Sequence, residues 1–313
     1  MLGIVILNYK TFNDTVNCVE SILKVIGNIQ YTVYIVDNMS PDGSFERLSA
    51  EYGGRENIRV IPSGKNGGFS YGNNVGFRAA ISDGCDKILC TNSDVEFKQN
   101  SIDIMIKDLD EIADCAVVGP KVYCGDGSVQ NANKGVLNAF RFFMRRKPFS
   151  WFDWFGVEKR YSYLNYKYDA PIYIDGMVSG CCFMIRSSVL AEIGFLDERV
   201  FLYHEENILG AKLHKAGYKV RLNPQSEVIH FGGKSTGGGK SAFVRYHMMA
   251  SALYYFKNYA DISRFSYWAV RNFVKCMFFF KGILNKEYKQ YYRKLKKLVK
   301  MMKREEEIYI NEV

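Results

Sequence analysis

Gly3-Ile-Val-Ile-Leu-Asn8-Tyr9 is a short apolar run that stops on polar residues, and it opens a pattern that repeats through the first 120 residues. It is too short for a signal peptide and has no basic lead, so it reads as a strand. An amphipathic stretch at 14–25 follows, then a second apolar run at 31–36. Further strand candidates lie at 58–61, 87–90 and 116–119, separated by helical patterns at 44–52, 71–81 and 101–112. Such alternation predicts an α/β fold, a mainly parallel sheet with helices on both faces. Ligands of these sheets bind beyond the carboxyl ends of the strands, so the polar residues closing each run are the ones to inspect.

Asn8 closes the first run. Asp37 closes the second and leads into Asn38-Met-Ser-Pro-Asp-Gly-Ser44, a segment equally suited to an Asx turn. After the third comes Gly64-Lys-Asn66-Gly-Gly68-Phe-Ser-Tyr-Gly72-Asn73, whose glycines let a backbone approach a ligand and lead into a helix start. It is neither a P-loop nor a dinucleotide fingerprint. The fourth run ends in Asn92-Ser-Asp94, oxygen ligands of the kind that hold Mg²⁺ or Mn²⁺ against a diphosphate. Further on, His230 ends a late strand before a glycine-rich loop carrying Lys234 and Lys240. Phe201-Leu-Tyr-His-Glu205-Glu206-Asn-Ile-Leu-Gly210 puts two carboxylates at a helix start. The positive helix end is expected to keep them ionised, as a general base acting on an alcohol requires.

At 313 residues and 48% hydrophobic content the chain can bury a core of one large or two smaller domains. The net charge of +9 is uneven, with thirteen Lys/Arg and one acid, Glu287, between Arg264 and Arg304. Attraction to an anionic surface is therefore expected of that segment alone. The eight cysteines show no C-x-x-C or zinc spacing and fit a reducing cytoplasm. The best membrane-span candidate, 265–284, is broken by Arg271, Lys275 and Lys281. Residues 135–170 hold twelve aromatics together with Arg141, Arg145, Arg146 and Lys147, suiting a lid, a membrane-touching insertion or simple packing. The expected division is a catalytic domain at 1–240 containing that insertion, and a basic amphipathic helical region at 241–313.

In this order the motifs resemble family-2 glycosyltransferases of the GT-A fold, in particular the bacterial rhamnosyltransferase-like branch, over roughly residues 3–235. The resemblance implies a Rossmann-like mixed, mainly parallel sheet flanked by helices, with a C-terminal helical extension. It implies that Asp37 binds the nucleoside, with Asn8, Asn66, Gly68, Asn73, Asn92, Asp94 and Lys234 in the donor nucleotide site. Asn92-Ser-Asp94 stands where the family has Asp-x-Asp, and His230 matches a late metal-side histidine, so Asp94 and His230 would hold Mg²⁺ or Mn²⁺. Gly180, Asp175 and His204 would border the donor and acceptor sugars. Phe195-Leu-Asp197-Glu198 through Glu206 resembles the family's Phe-Asp-Glu-Arg…Glu-Asp segment, making Glu206, or Glu205, the base. Asn92 and Glu206 each replace an aspartate of that pattern.

The implied activity is inverting transfer from a UDP- or dTDP-sugar to a hydroxyl of a growing surface polysaccharide or lipid-linked oligosaccharide. The expected location is cytoplasmic, with peripheral attachment to the inner face of the membrane left open. An anionic membrane surface and a second copy of the chain are open partners; nucleic acid is not expected. The competing class is a catalytically impaired nucleotide-sugar-binding or scaffold protein. A sugar-1-phosphate nucleotidyltransferase is disfavoured, because Asn8-Tyr-Lys10-Thr-Phe12 lacks the Gly-rich basic loop expected after the first strand.

Overall fold

The computed structural model describes all residues except 131–132, 147–148, 153–155, 164–165, 233–240 and 305–307. β1 (Leu2–Asn8) is buried almost throughout, because helices cover both faces of its sheet; this is why its run is continuously apolar rather than alternating. Next come α1 (Phe12–Val25), β2 (Tyr31–Asp37), α2 (Ser44–Tyr52), β3 (Ile58–Pro62), α3 (Gly68–Ser82) and β4 (Lys87–Asn92). These four strands lie in the order β3-β2-β1-β4 and are all parallel. Asn8 pairs with Asp37 and Leu7 with Asn92, so the residues that close the apolar runs share one sheet edge.

The second half is mixed. It contains β5 (Val95–Phe97), α4 (Ser101–Glu111), β6 (Cys115–Cys124), α5 (Ala139–Met144), a 3₁₀ turn at Phe149–Phe152, and α6 (Val157–Tyr161). Then follow β7 (Ile172–Ile174), β8 (Cys182–Arg186), α7 (Ser187–Glu192), α8 (Glu205–Lys215) and β9 (Lys219–His230). β8 inserts antiparallel between β4 and β6, while β9 runs parallel to β6 and antiparallel to β5 and β7. β6 extends past the expected end at Gly119, because its register with β9 shifts at Pro120/Lys121 and absorbs the proline's missing N–H.

α3 starts at Gly68, three residues before the expected helix. Gly68 has φ +84°, and a Cβ there would lie 2.1 Å from the Phe201 carbonyl oxygen. Only glycine permits this approach, which lets the Phe69 N–H donate to that oxygen at 3.0 Å. The loop before α8 is thereby pinned to the sheet edge.

Two apolar cores fill the two faces of the sheet. A third is built by α9 (Ala242–Asn258), α10 (Arg264–Leu284) and α11 (Lys286–Lys303). α9 is buried nearly all round, as a helix apolar on every side must be. The same core takes in Leu137, Phe142 and Tyr161 of the aromatic insertion and Ile208 of α8, so it crosses the boundary expected at residue 240. Among the described residues no helix is long and apolar enough to cross a membrane.

Candidate active site

A cavity of about 690 Å³ opens along the carboxyl edge of β1 and β4, a volume typical of ligand pockets. Asn66, Gly68, Asn92, Asp94, Gly180, Glu205, Glu206 and His230 all line it. Residues 100 and more apart in sequence thus meet in one space.

Asn8, Asp37 and Asn73 stand behind this wall. Asn8 is fully buried; its Nδ2 donates to Asp37 Oδ1 at 2.6 Å, and its Oδ1 accepts from Thr11 at 3.1 Å and Thr15 at 2.8 Å. Asp37 Oδ2 accepts from the Ser40 N–H at 2.9 Å, so the pair fixes the loop after β2. Asn38, next in line, reaches the cavity and donates to Asn66 Oδ1 at 3.0 Å. Asn73 donates to the Phe69 carbonyl at 3.0 Å inside α3.

Asp94 lies in the tight turn between β4 and β5, and the antiparallel register pairs its neighbour Val95 with His230. Asp94 Oδ1 lies 3.2 Å from His230 Nε2, and His230 Nδ1 pairs with Gln130 Oε1 at 2.9 Å. Against burial, which would raise it, the His230 contact holds the Asp94 carboxyl below its usual range. Against burial in the opposite sense, Asp94 and Cys181 lift His230 to about 10. Oδ1 and Nε2 therefore converge on a point that takes a proton or a cation. A carboxylate oxygen and an imidazole nitrogen suit a divalent ion such as Mn²⁺. Among the described residues no group of three or more His, Cys, Asp and Glu forms, so such an ion would complete its shell from phosphate and water.

Glu205 and Glu206 begin α8 as expected, after two residues held in the left-handed region, Tyr203 (φ 69°) and His204 (φ 68°). That conformation is costly outside glycine and concentrates at functional sites. The helix end does not set their titration alone: burial pushes both pKa values up. A helix end is worth about 0.3–1 kcal/mol, whereas burial shifts a carboxyl by up to about 3–5 units at about 1.4 kcal/mol each. The two acids differ. Glu205 is raised by burial and then by the Glu206 charge, and its Oε2 has no hydrogen-bond partner among the described residues. For Glu206, Lys134 and the Gly180 N–H oppose the burial. A Cβ on Gly180 would lie 2.5 Å from Glu206 Oε1, so this glycine both makes room for the carboxylate and donates to it.

The Gly180–Cys181 step joins the two ends of the cavity, since the Cys181 carbonyl accepts from the Asn92 N–H at 2.8 Å. His204 does not line the cavity; it pairs with Asn207 Oδ1 at 3.1 Å, and burial lowers it to about 3. Asp175 is exposed and accepts from the Tyr163 hydroxyl. Lys234 lies outside the described residues. Lining residues that the sequence did not single out include Thr11, Gln130, Lys134 and Phe243. Lys134 is fixed by reciprocal backbone bonds with Met177, a long-range bridge with no local signature.

The chain is 27% identical over 233 residues to N-acetylglucosaminyl-diphospho-decaprenol L-rhamnosyltransferase of Mycobacterium tuberculosis, covering 71% of this chain and 74% of that one. Among solved structures it resembles GalNAc-T7 with UDP, GalNAc and Mn²⁺ (TM-score 0.57, 14% identity, 88% of this chain but 55% of that chain). It also resembles mannosyltransferase PcManGT from Pyrobaculum calidifontis with GDP-Man and Mn²⁺ (TM-score 0.55, 13% identity, 95% and 84%). These likenesses establish the GT-A architecture of the mixed sheet. The family model for glycosyl transferase family 2 matches residues 3–194, the segment that supplies the sheet edge, Asp94 and Gly180, and the chain belongs to that family.

Proposed function

We propose that this glycosyltransferase moves a sugar from a nucleoside diphosphate donor, UDP- or dTDP-linked, to a hydroxyl of a lipid-linked glycan, with inversion. The observation that carries the reading is the placement of a carboxylate pair, Glu205 and Glu206, in the same cavity as Asp94 and His230. The similarity to a transferase named for a decaprenol-linked substrate supports the lipid-linked acceptor. Residues 1–240 carry the donor and acceptor site in this reading, and 241–313 form the helical region packed on it.

Glu206 is the better base, since Lys134 and the Gly180 N–H favour its ionised form while Glu205 lacks such partners. It takes the proton of the acceptor hydroxyl as that oxygen attacks the anomeric carbon from the face opposite the phosphate. The bond from the anomeric carbon to the phosphate oxygen breaks, and its electron pair leaves with the nucleoside diphosphate. Asp94 and His230, with the Asn92 amide beside them, would hold Mg²⁺ or Mn²⁺, which when bound neutralises charge on the leaving diphosphate. Glu205, buried and next to an ionised neighbour, is suited to donate a hydrogen bond to a sugar hydroxyl.

The test incubates the purified chain with UDP- and dTDP-sugars and a polyprenyl-diphosphate-linked N-acetylglucosamine acceptor, following nucleoside diphosphate release and product configuration by NMR. Acceptor-dependent release with an inverted product is expected. Donor binding without transfer to any acceptor would favour the impaired, scaffold-type alternative.

A further inference from the structure

α10 is apolar on two sides. Its inner side sends Val270, Val274 and Phe278 into the third core. Its outer side carries, at helical spacing, Phe265, Trp268, Asn272, Cys276, Phe279 and Ile283. From Phe265 to Ile283 this stripe runs about 27 Å. Phe265 is 74% exposed, Phe280 and Ile283 are each 64%, and Leu284 at the hairpin tip is 92%. By the 3.6-residue period Arg264, Arg271 and Lys275 flank one edge of the stripe, next to Trp268, and Lys281 lies on the opposite side of the helix. A contiguous apolar band of this size facing water marks a docking face rather than scattered surface residues.

α11 folds back antiparallel, with Phe278 against Tyr288 and Phe279 against Tyr292 at ring distances of 5.6 and 5.7 Å. It buries Tyr288, Leu295, Leu298 and Met302, and leaves Lys286, Lys289, Arg293, Lys296, Lys297 and Lys300 exposed. The insertion packs against the same helix. Phe143 packs on Phe273 at 5.4 Å, and Phe140 and Trp151 of the same insertion are exposed.

We propose that the outer side of the α10–α11 hairpin docks on an anionic lipid surface. The aromatic stripe would enter the boundary between headgroups and acyl chains, with the α11 lysines and arginines against the headgroups. Charge selects this occupant over a second copy. Residues 264–304 carry thirteen cations and one acid, so a copy would set like charge against like, whereas an anionic bilayer supplies the complement. The surface lies outside the cavity, and its test reads binding rather than activity, so it stands or falls separately from the proposed reaction.

The test floats the full-length chain with vesicles of phosphatidylglycerol and phosphatidylcholine, and with phosphatidylcholine alone. Binding to the anionic vesicles only, weakened by salt, is expected. A W268E/F280E/I283E variant, altered only at exposed positions, should lose binding while keeping its circular dichroism spectrum and melting temperature. Each reversal among Lys289, Arg293 and Lys296 should cost about five-fold or more in affinity, the equivalent of about 1 kcal/mol per basic residue. A bimane on Cys276, the exposed cysteine among the described residues, should shift to the blue on anionic vesicles. A chain that ignores anionic vesicles at low salt overturns the proposal. So does a W268E/F280E/I283E variant that binds them as well as the parent. A dimer by light scattering that the same variant turns monomeric would assign the face to a second copy instead.

Discussion

Glu206 owes its room to a glycine, and its charge is favoured by a lysine, both from distant parts of the chain. Gly180 leaves no room for a side chain beside the carboxylate and donates to it, and Lys134 opposes its burial. Glu206→Gln is expected to lower turnover by at least about 10², with donor affinity nearly unchanged in a binding titration. Near-normal turnover in Glu206→Gln, with loss in Glu205→Gln, would move the base by one residue. Gly180→Ala should lower turnover too, by pushing the carboxylate out of place, again with donor affinity retained. The pH dependence follows from the direction of the shift. A base raised above its ordinary value of 4.5 is protonated sooner on acidification, so activity should fall through a pH above that value, seen as the acid limb of kcat/KM. Glu205 is raised as well, so its folded form binds a proton more tightly than the unfolded chain. Its stabilising contribution is full below the unfolded pKa and is lost as pH rises through the folded one. The melting temperature should therefore fall more in the parent than in Glu205→Gln as the pH is raised from the ordinary carboxyl range through the elevated folded pKa. The pair was legible in the sequence as an acidic first turn. Its pKa direction was not, because dehydration comes from residues the local sequence does not contain.

At the scale of elements, the opposite end of the cavity depends on a three-residue strand. β5 pairs Val95 with His230 and so brings Asp94 against the imidazole. Asn92-Ser-Asp94 and His230 stood out in the sequence because each follows an apolar run. Their meeting did not, since β5 is too short to show a period and Gln130, which orients the ring, lies in an irregular segment. β1, at the centre of the parallel half, read cleanly for the opposite reason: a strand buried on both faces is a nearly continuous apolar run. If Asp94 and His230 hold a cation, EDTA should abolish transfer, Mn²⁺ or Mg²⁺ should restore it, and Asp94→Ala should not be rescued by added metal. His230→Gln should instead raise the metal concentration needed for half-maximal rate. Full activity in chelator would mean that the diphosphate is neutralised without an ion, leaving helix ends and basic side chains to do it.

For the whole molecule, the C-terminal hairpin has two faces that the sequence could not separate. Its basic amphipathic character was plain, but Phe278, Phe279 and Phe280 are adjacent, and only the tertiary packing shows that the first is buried and the other two are exposed. The inner face makes the hairpin part of the fold. Val270, Val274, Phe278, Leu295 and Leu298 are fully buried, in one core with Phe142 of the insertion and Phe256 of α9. Burying a side chain of this kind is worth about 1.5–3 kcal/mol. Losing several at once approaches the whole of a domain's net stability, about 5–15 kcal/mol. A chain ending at Tyr259 is therefore expected to aggregate or to melt well below the parent, even though the residues named for the reaction all precede that point. The W268E/F280E/I283E variant should keep the parent's melting temperature, because its changes lie on the outer face. Size-exclusion chromatography and thermal melts of the two proteins check both statements together. A monodisperse 1–259 chain melting like the parent would show that the third core is dispensable and that the hairpin serves the surface alone.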